Sequence, residues 1–415
     1  MRDLVGRRAG KAILGGGLGA VAAVVVVAIF STGVTWGAGA SPAPPASPAP
    51  PPPAPAAAPA SVLPRGIVIP APHSIVVVRR NAGQDSLWSV DPTQTNLPVQ
   101  LVTLPFRPST VEASPDAVRL AYLPRGVGPK VYIYDITTGT LVTRSLAARG
   151  VKVVDSLTWL SRTKLLVAGK KTPGRSFYPF TDRLYTLSAT TGASAPYRGL
   201  LGTEPSASPA AGRLVFVRFS EGGRVSSGSP LRWIIERLYR AGLAAGARPH
   251  LIGSAKYPSG LDIRRFNDPR LSPDGRWVIT STTGSDISVS YMVRSATTGK
   301  VRQTVSTTLA GRDATAWSNH GNRVALWTMP AADSTATARL IVYSVPANSR
   351  KASGKLSSVA ITGVSWSSDD ALLAYSARGL NSADDNAELW TIDPATLSIP
   401  GATDLGPGSM PVFLP

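Results

Sequence analysis

The side chains that most often perform catalysis are scarce in this 415-residue chain. It has three histidines, His73, His250 and His320, and no cysteine. The histidines lie far apart in sequence without metal-ligand spacing, so the pattern predicts neither a zinc site nor a catalytic triad. The lack of cysteine excludes disulfides and thiol nucleophiles. We therefore expect no catalytic residues, no metal and no cofactor.

Carboxylates offer one further candidate site. Two adjacent pairs occur, Asp369-Asp370 and Asp384-Asp385. The first fits a tight turn, because Asp side chains accept hydrogen bonds from nearby backbone amides. The second lies among amide side chains whose oxygens suit calcium, although a solvated loop is the alternative. The sequence contains no G-x-S-x-G nucleophile motif and no phosphate-binding loop motif.

The elements that would position such side chains belong to a repeat. Its cleanest copy is Leu271–Thr280, with the sequence LSPDGRWVIT. Weaker copies begin at five other serines, 46 to 64 residues from their neighbours: Ser114, Ser161, Ser208, Ser318 and Ser367. A period of this size is typical of radial all-β arrays.

Each copy predicts four short strands. An apolar strand leads into the serine, a polar turn with Asp or Gly follows, and a second strand leaves the turn. A third strand alternates polar and apolar residues, as in Val131–Asp135, and ends at a Thr-Thr-Gly-like turn before the fourth. Period-2 alternation with β-branched and aromatic residues favours strands over helices. Each repeat thus has the size of one antiparallel propeller blade.

The Ser-Pro-Asp-Gly turn at Ser272–Gly275 and the Thr-Thr-Gly-like turns resemble the WD40-like repeats of bacterial TolB-type β-propellers. The resemblance covers about residues 74–415 and implies an all-β propeller domain. Because propellers host many unrelated tasks, it does not imply one activity.

The blade count follows from the two ends of this region. Ser74–Arg79 looks like a second strand without a first, and Ser409–Pro415 looks like a first strand without a second. We expect the C-terminal strand to complete the N-terminal blade and close a seven-bladed ring, which leaves no long exposed sheet edge. Six blades with frayed ends are the alternative.

The N-terminus predicts a membrane anchor and a stalk. Residues 1–11 are basic, and residues 12–39 form one uncharged apolar segment long enough to span a bilayer. The basic side should stay in the cytoplasm, which places the propeller outside the cell membrane. A signal peptide cleaved after Ala40, giving a secreted protein, is the alternative. Residues 40–73 are rich in Pro and Ala and predict an extended, disordered linker.

Two further features concern partners. Gly15 and Gly19 form a GxxxG pair that could support a weak homodimer, although composition alone also explains it. The net charge is +19. It is explained either by solubility and composition or by attraction to an anionic envelope polymer. Nucleic acid is not expected as a partner of an exported domain.

The predicted blades place their long loops on one face. Four segments are long: residues 169–182, 220–231, 254–268 and 377–387. The first three belong to consecutive blades and combine cations with aromatic side chains, the composition of binding hot spots. The candidate binding residues are Lys170, Lys171, Arg175, Phe177, Tyr178, Phe180, Arg232, Trp233, Tyr257, Arg264, Arg265 and Phe266.

These patterns favour a non-catalytic binding, scaffold or sensing module at the cell envelope, with a protein or an anionic polymer as partner. The alternative is a propeller enzyme of the lyase or hydrolase type, with its site in the central channel. The innermost strands predicted from the repeat show mainly small and aromatic residues, such as Thr158, Trp317 and Ser365, which disfavours the enzyme.

Overall fold

A computed structural model of the chain describes residues 70, 73–126, 128–171, 182–226, 231–244, 246–259, 264–283, 289–307, 315–328, 337–357, 359–379 and 387–414. The predicted basic segment, apolar span and GxxxG pair, nearly all of the linker, and Asp384-Asp385 lie outside these residues. Within the described part, no helix has the length and apolar character needed to cross a membrane.

The described residues form seven antiparallel sheets, which we call blades 1 to 7 in chain order. Blade 1 begins with β1 (Ile75–Asn81), β2 (Gln84–Val90) and β3 (Val99–Thr103). Blade 2 contains β4 (Pro108–Ala113), β5 (Arg119–Pro124), β6 (Lys130–Asp135) and β7 (Thr140–Ser145). Blade 3 contains β8 (Val153–Ser161), β9 (Lys164–Lys170), β10 (Arg183–Ser188) and β11 (Ser194–Leu201). Blade 4 contains β12 (Thr203–Ser208), β13 (Arg213–Arg224), β14 (Arg232–Gly242) and β15 (His250–Pro258).

The remaining blades follow the same order. Blade 5 contains β16 (Arg264–Leu271), β17 (Trp277–Thr283), β18 (Val289–Ser295) and β19 (Val301–Thr307). Blade 6 contains β20 (Thr315–Trp317), β21 (Arg323–Thr328), β22 (Thr337–Ser344), β23 (Ser349–Ala352) and the short β24 (Leu356–Ser357). Blade 7 contains β25 (Val359–Trp366), β26 (Leu373–Gly379), β27 (Glu388–Ile392) and β28 (Thr403–Pro407). The last strand is β29 (Ser409–Phe413), and two 3₁₀ turns occur at Ala147–Arg149 and Ile399–Gly401.

The C-terminal strand closes the ring. Blade 1 has the order β29-β1-β2-β3, so its innermost strand comes from the opposite end of the domain. Phe413 pairs with Ile75 in register, and the Leu414 amide donates to the Ser74 carbonyl at 2.9 Å. The predicted seven-bladed all-β propeller and its closure are confirmed, and the six-bladed alternative is wrong.

The repeated serine shapes the turn between the first and second strands. The Ser272 hydroxyl donates to Asp274 at 2.5 Å and accepts from the Trp277 amide at 2.9 Å. Ser114 and Ser367 make the same pair of contacts in their own blades. These side-chain bonds hold a tight hairpin in blades 2, 5 and 7, which explains why the phrase recurs there in the sequence.

Apolar clusters fill the spaces within and between blades. One cluster joins Ala121 and Leu123 of blade 2 to Leu157, Trp159 and Val167 of blade 3. Such packing makes each blade depend on its neighbours, so the inner strands are held in fixed positions around the ring.

Arginines also connect successive blades. Five guanidinium groups donate to backbone carbonyls of the following blade at 2.7–3.1 Å. They are Arg119 to Arg162, Arg144 to Ala189, Arg198 to Gly242 and Ala247, Arg213 to Gly275, and Arg323 to Asp370. Part of the positive charge therefore serves blade packing and is not presented as a binding surface.

Candidate functional site

The first strand of each blade lines the centre of the ring. These strands are β29, β4, β8, β12, β16, β20 and β25, and each is the edge strand of its sheet. Neighbouring first strands pack against each other, as β8 does with β12 and β25 with β29. Their unpaired sheet edges therefore face a central channel, where propellers position residues from every blade.

Six of these seven inner strands contain an irregular register of the β-bulge type. At three of them a non-glycine residue adopts a positive φ: Glu204 (49°), Asp268 (46°) and Met410 (51°). Each is followed by a proline, which has no amide hydrogen to leave unpaired at the edge. Bulges re-aim side chains, and strained backbone tends to collect at functional sites. The channel mouth on the long-loop face is thus a candidate site.

Polar side chains link the bulges of blades 3, 4 and 5. The Ser156 hydroxyl accepts from the Glu204 amide at 3.0 Å. The Glu204 carboxylate in turn accepts from the Asp268 amide at 2.9 Å. One backbone amide per strand is therefore satisfied by a side chain of the preceding blade, which compensates for the lost ladder bonds.

Glu204 also belongs to a buried ionic network with Arg264 and Glu236. Arg264 donates to both carboxylate oxygens of Glu204, at 2.6 and 2.9 Å, and its Nε lies 3.6 Å from Glu236. Glu236 is fully buried and accepts from the Tyr257 hydroxyl at 2.9 Å and the Arg265 amide at 2.6 Å. Burial raises the pKa of Glu236, and Arg264 opposes that rise. The network fixes the crossing from blade 4 to blade 5.

A second carboxyl pair lies at the blade 3 side of the mouth. Asp155, at the bulge of β8, is 2.6 Å from the Lys170 ammonium and partly exposed. Asp182 is fully buried, and its nearest polar side chains include those of Asp155 and Thr203. Burial, and then the neighbouring Asp155 carboxyl, raises the pKa of Asp182, while Lys170 lowers it. Two adjacent carboxyl groups of this kind disfavour being charged at the same time.

Two further ionisable side chains belong to inner strands. Glu112 is on β4 and Arg270 is on β16. Burial raises the pKa of Glu112 to about 7, and the charge of Arg270 opposes this rise. The innermost strands therefore carry charged residues beside the small and aromatic ones named above. They also present four carboxylates, Glu112, Asp155, Glu204 and Asp268.

The predicted binding residues divide into four groups. Lys171, Arg232 and Arg265 are exposed on the long-loop face, and Trp233 is half-buried beneath the Lys256 ammonium, 4.4 Å from its ring centre. Lys170 pairs with Asp155. The third group, Arg175, Phe177, Tyr178 and Phe180, lies outside the described residues.

Three candidates are not surface loop residues. Tyr257, Arg264 and Phe266 are 5%, 7% and 3% exposed. The predicted loop 254–268 is largely strand, because β15 continues to Pro258 and β16 begins at Arg264. Arg264 therefore serves the buried network, and Phe266 packs in the core of blades 4 and 5. These residues do not line an exposed patch as expected.

Blade 4 projects further than the others. β13 has 12 residues, whereas the second strands of the other blades have six or seven. Five extra residues at about 3.3 Å each extend this hairpin by about 16 Å. Much of the predicted loop 220–231 is thus a strand pair, in which Arg224 lies opposite Arg232. Its exposed cations, with Lys171 and Lys256, form what we call the hairpin face: Lys171, Arg224, Arg232 and Lys256.

Two of the three histidines, which are far apart in sequence, contact the same turn of blade 7. His320 lies 2.7 Å from Asp370, and the ring of His73 lies 3.2 Å from the Ser368 hydroxyl of the same turn. His250 begins the outer strand β15 and is exposed. Among the residues that the structure describes, no three His, Cys, Asp or Glu side chains are grouped so as to hold a metal ion.

Comparison with known proteins shows the fold. No family model matches the chain, and no curated protein matches it. Among solved structures, oligogalacturonate lyase from Vibrio parahaemolyticus is 13% identical with a TM-score of 0.50, covering 77% of this chain and 91% of that one. TolB from Acinetobacter baumannii is 14% identical with a TM-score of 0.43, covering 83% of each. What they share is the propeller. The chain is similar to TolB-type propellers in fold alone.

Proposed function

We propose that the chain is a non-catalytic binding module that presents its propeller outside a membrane and binds an anionic partner, a polymer or an acidic protein surface, through the hairpin face. The observation that carries the proposal is the extended blade 4 hairpin with its exposed cations. Lys171, Arg224 and Lys256 are exposed around it, and Glu221 is the acidic residue that pairs with Arg232 there, at 2.8 Å.

The physical basis is geometric as well as electrostatic. A hairpin that stands about 16 Å beyond its neighbours offers side chains to a large partner that cannot enter the channel. Trp233, stacked beneath Lys256, gives the face one rigid aromatic contact of the kind found in binding hot spots. Arginines that brace the blades do not contribute to this face, so the surface charge is locally concentrated.

The test compares two triple charge reversals in the exported domain. Lys171→Glu, Arg224→Glu and Lys256→Glu should weaken binding of poly-glutamate or polyphosphate about tenfold or more, since each exposed charge contributes about 0.2–1 kcal/mol. Binding of the unchanged protein should also fall between 0.1 and 1 M salt, where the Debye length drops from about 10 to about 3 Å.

The matched control reverses three exposed cations on the short-turn face. Arg162→Glu, Arg276→Glu and Lys300→Glu change the net charge by the same amount and replace none of the blade-bracing arginines. Arg119 bonds the backbone carbonyl of residue 162, which the substitution keeps. Equal losses from the two triple variants would mean that net charge alone attracts the polymer, and the localised site would be wrong.

A second candidate function is an enzyme, and the Asp155–Asp182 pair is the observation that favours it. A carboxyl whose pKa is raised by burial and by a second carboxyl is suited to general acid–base chemistry. Among the similar folds, the lyase suggests an oligogalacturonate as the substrate to try. Turnover that is lost in Asp155→Asn but kept in the Lys171, Arg224 and Lys256 variant would favour the enzyme over the binding module.

A further inference from the structure

A cavity of about 250 Å³ opens at the junction of blades 6 and 7. Blade 6 contributes Leu356 of β24, and the other lining residues belong to blade 7. An apolar cavity of about 150 Å³ holds one benzene molecule, so this one has room for an aromatic ring with a short side chain. The apolar part of its lining consists of Leu356, Val359, Ala377, Trp390 and Ile399.

The cavity lies where the outer strand of blade 6 is interrupted. β23 and β24 both pair with β22, and the chain leaves the ladder between them. The Ser353 amide donates to the Leu340 carbonyl at 2.8 Å, and the Ser353 hydroxyl accepts from the Leu340 amide at 3.0 Å. These two bonds satisfy the backbone at the break and hold it in place. Leu356 therefore has a defined position, and the cavity beside it is a built feature of the fold.

Strand register shows which side chains face the cavity. On blade 7, Tyr375 lies opposite Trp390, and Ala377 lies opposite Glu388. Opposed residues, and residues two apart on a strand, share one face of a sheet, so these four side chains point the same way. That face packs against blade 6, because Tyr375 and Ala377 belong to the cluster that joins the two blades. Arg378 follows Ala377 on β26, so its side chain starts from the opposite face.

Two polar groups that line the cavity have no partner within the described part of the chain: the hydroxyl of Tyr375 and the carboxylate of Glu388. Tyr375 is 2% exposed, whereas Glu388 is exposed. Burial raises the pKa of Tyr375 to about 12, so the hydroxyl keeps its proton at neutral pH. A buried hydroxyl without a partner is costly, and a ligand that supplies one gains affinity.

We propose that this cavity binds a small hydrophobic amine, with its apolar body against the lining of blades 6 and 7 and its ammonium group at the Glu388 carboxylate. The ring of Trp390 also attracts a cation, and the Tyr375 hydroxyl can accept a hydrogen bond from it. An anion of the same size would meet the charge of Glu388, and a neutral molecule would leave that charge unused. The site lies away from the hairpin face of blade 4 and does not depend on the proposed function.

The experiment is calorimetry on the full chain in detergent at neutral pH, with three probes that share a phenyl ring and differ in charge. Phenethylamine is the cation, phenethyl alcohol is the neutral probe, and phenylacetate is the anion. We expect phenethylamine to bind about two- to fivefold more tightly than the alcohol, the range for an exposed ion pair. Phenylacetate should bind more weakly than both.

Three variants of the full chain locate the site. Glu388→Gln should remove the preference for phenethylamine over the alcohol, and Tyr375→Phe should weaken phenethylamine about two- to twelvefold, as for a lost neutral hydrogen bond. Ala377→Leu fills the cavity and should weaken both probes more than about tenfold. The matched controls are Glu221→Gln, an exposed carboxylate of blade 4, and Ala148→Leu, an exposed methyl group between blades 2 and 3. Both should bind phenethylamine normally.

Circular dichroism establishes that each variant folds, and Val359→Phe replaces Ala377→Leu as the filling variant if the latter does not. Equal binding of the amine and the alcohol, or tighter binding of phenylacetate, would overturn the assignment of an amine. Unchanged phenethylamine binding in both Glu388→Gln and the filling variant would place the amine elsewhere and overturn the site. No binding by any probe would also overturn the proposal.

Discussion

Two Arg–Glu pairs of blades 4 and 5 have very different surroundings. Arg264, 7% exposed, neutralises Glu204 and the fully buried Glu236. Arg232 pairs with Glu221 at 2.8 Å, but both side chains are about half exposed. Removing one partner of a buried pair leaves an uncompensated charge, whereas water replaces the partner of an exposed one. Burial, more than distance, should decide what each pair contributes to stability.

Replacing Arg264 therefore tests the buried network. Arg264→Met should lower the free energy of unfolding by about 3–5 kcal/mol, whereas Arg232→Met should change it by about 0–1 kcal/mol. Urea unfolding of the two variants beside the unchanged domain measures both values. Similar small losses would show that Glu236 simply becomes protonated when Arg264 is removed, and the stabilising role of Arg264 would be wrong.

At the scale of the element, β29 is the part of blade 1 most easily removed. Phe413 and Leu414 are 8% and 6% exposed and pack in two different clusters. Val412 is only partly buried. Phe413 in β29 and Leu414 just after it are thus more buried than Val412, so the loss on truncation falls mainly on these two side chains.

Phe413→Ala should cost about 3–5 kcal/mol, and deletion of residues 410–415 should cost more, because it also exposes the edge of β1. That approaches the whole stability margin of a typical domain. Thermal unfolding measures the loss, with Leu97→Ala as the control, since Leu97 is 87% exposed. A truncated domain with an unchanged melting temperature would contradict closure by this strand.

The serine turn could be predicted from local sequence patterns, whereas the inner-strand bulges could not. The serine turn could be found because its hydrogen bonds are local and recur in blades 2, 5 and 7. The bulges leave only a short signal, an X-Pro pair three residues before the repeat position, as at Glu204-Pro205 and Asp268-Pro269. That these carboxylates meet at the channel depends on contacts between blades, to which local patterns are blind.

At the scale of the whole molecule, the fold could be predicted from the sequence much further than the binding site. The ring and its closure follow from counting strands, because each end of the domain has what the other lacks. The candidate binding residues were predicted from loop length, and this failed where β15 and β16 extend into the assumed loop, as at Arg264. Loop length in a sequence does not distinguish an exposed insertion from a longer strand.

The predicted anchor belongs to this scale as well. If residues 12–39 span the membrane with the basic end inside, protease added to intact cells should cut beyond about residue 65 and release a soluble propeller. Antibody detection of the released domain, with a cytoplasmic protein as the control for lysis, measures this. A domain protected until the membrane is opened would contradict the orientation, and a mature N-terminus at Ser41 would show signal cleavage.

Ring closure by the two ends of the domain also constrains when the protein can fold. The Ser409 hydroxyl donates to the Val78 carbonyl, 331 residues away in the chain. At a synthesis rate of about 5–20 residues per second, β1 waits about 15–65 s for its partner strand. During that interval blades 2 to 7 can form in order while the edge of β1 remains open to other chains. Aggregation during synthesis should therefore start at blade 1, and a chaperone that covers β1 would protect the nascent protein.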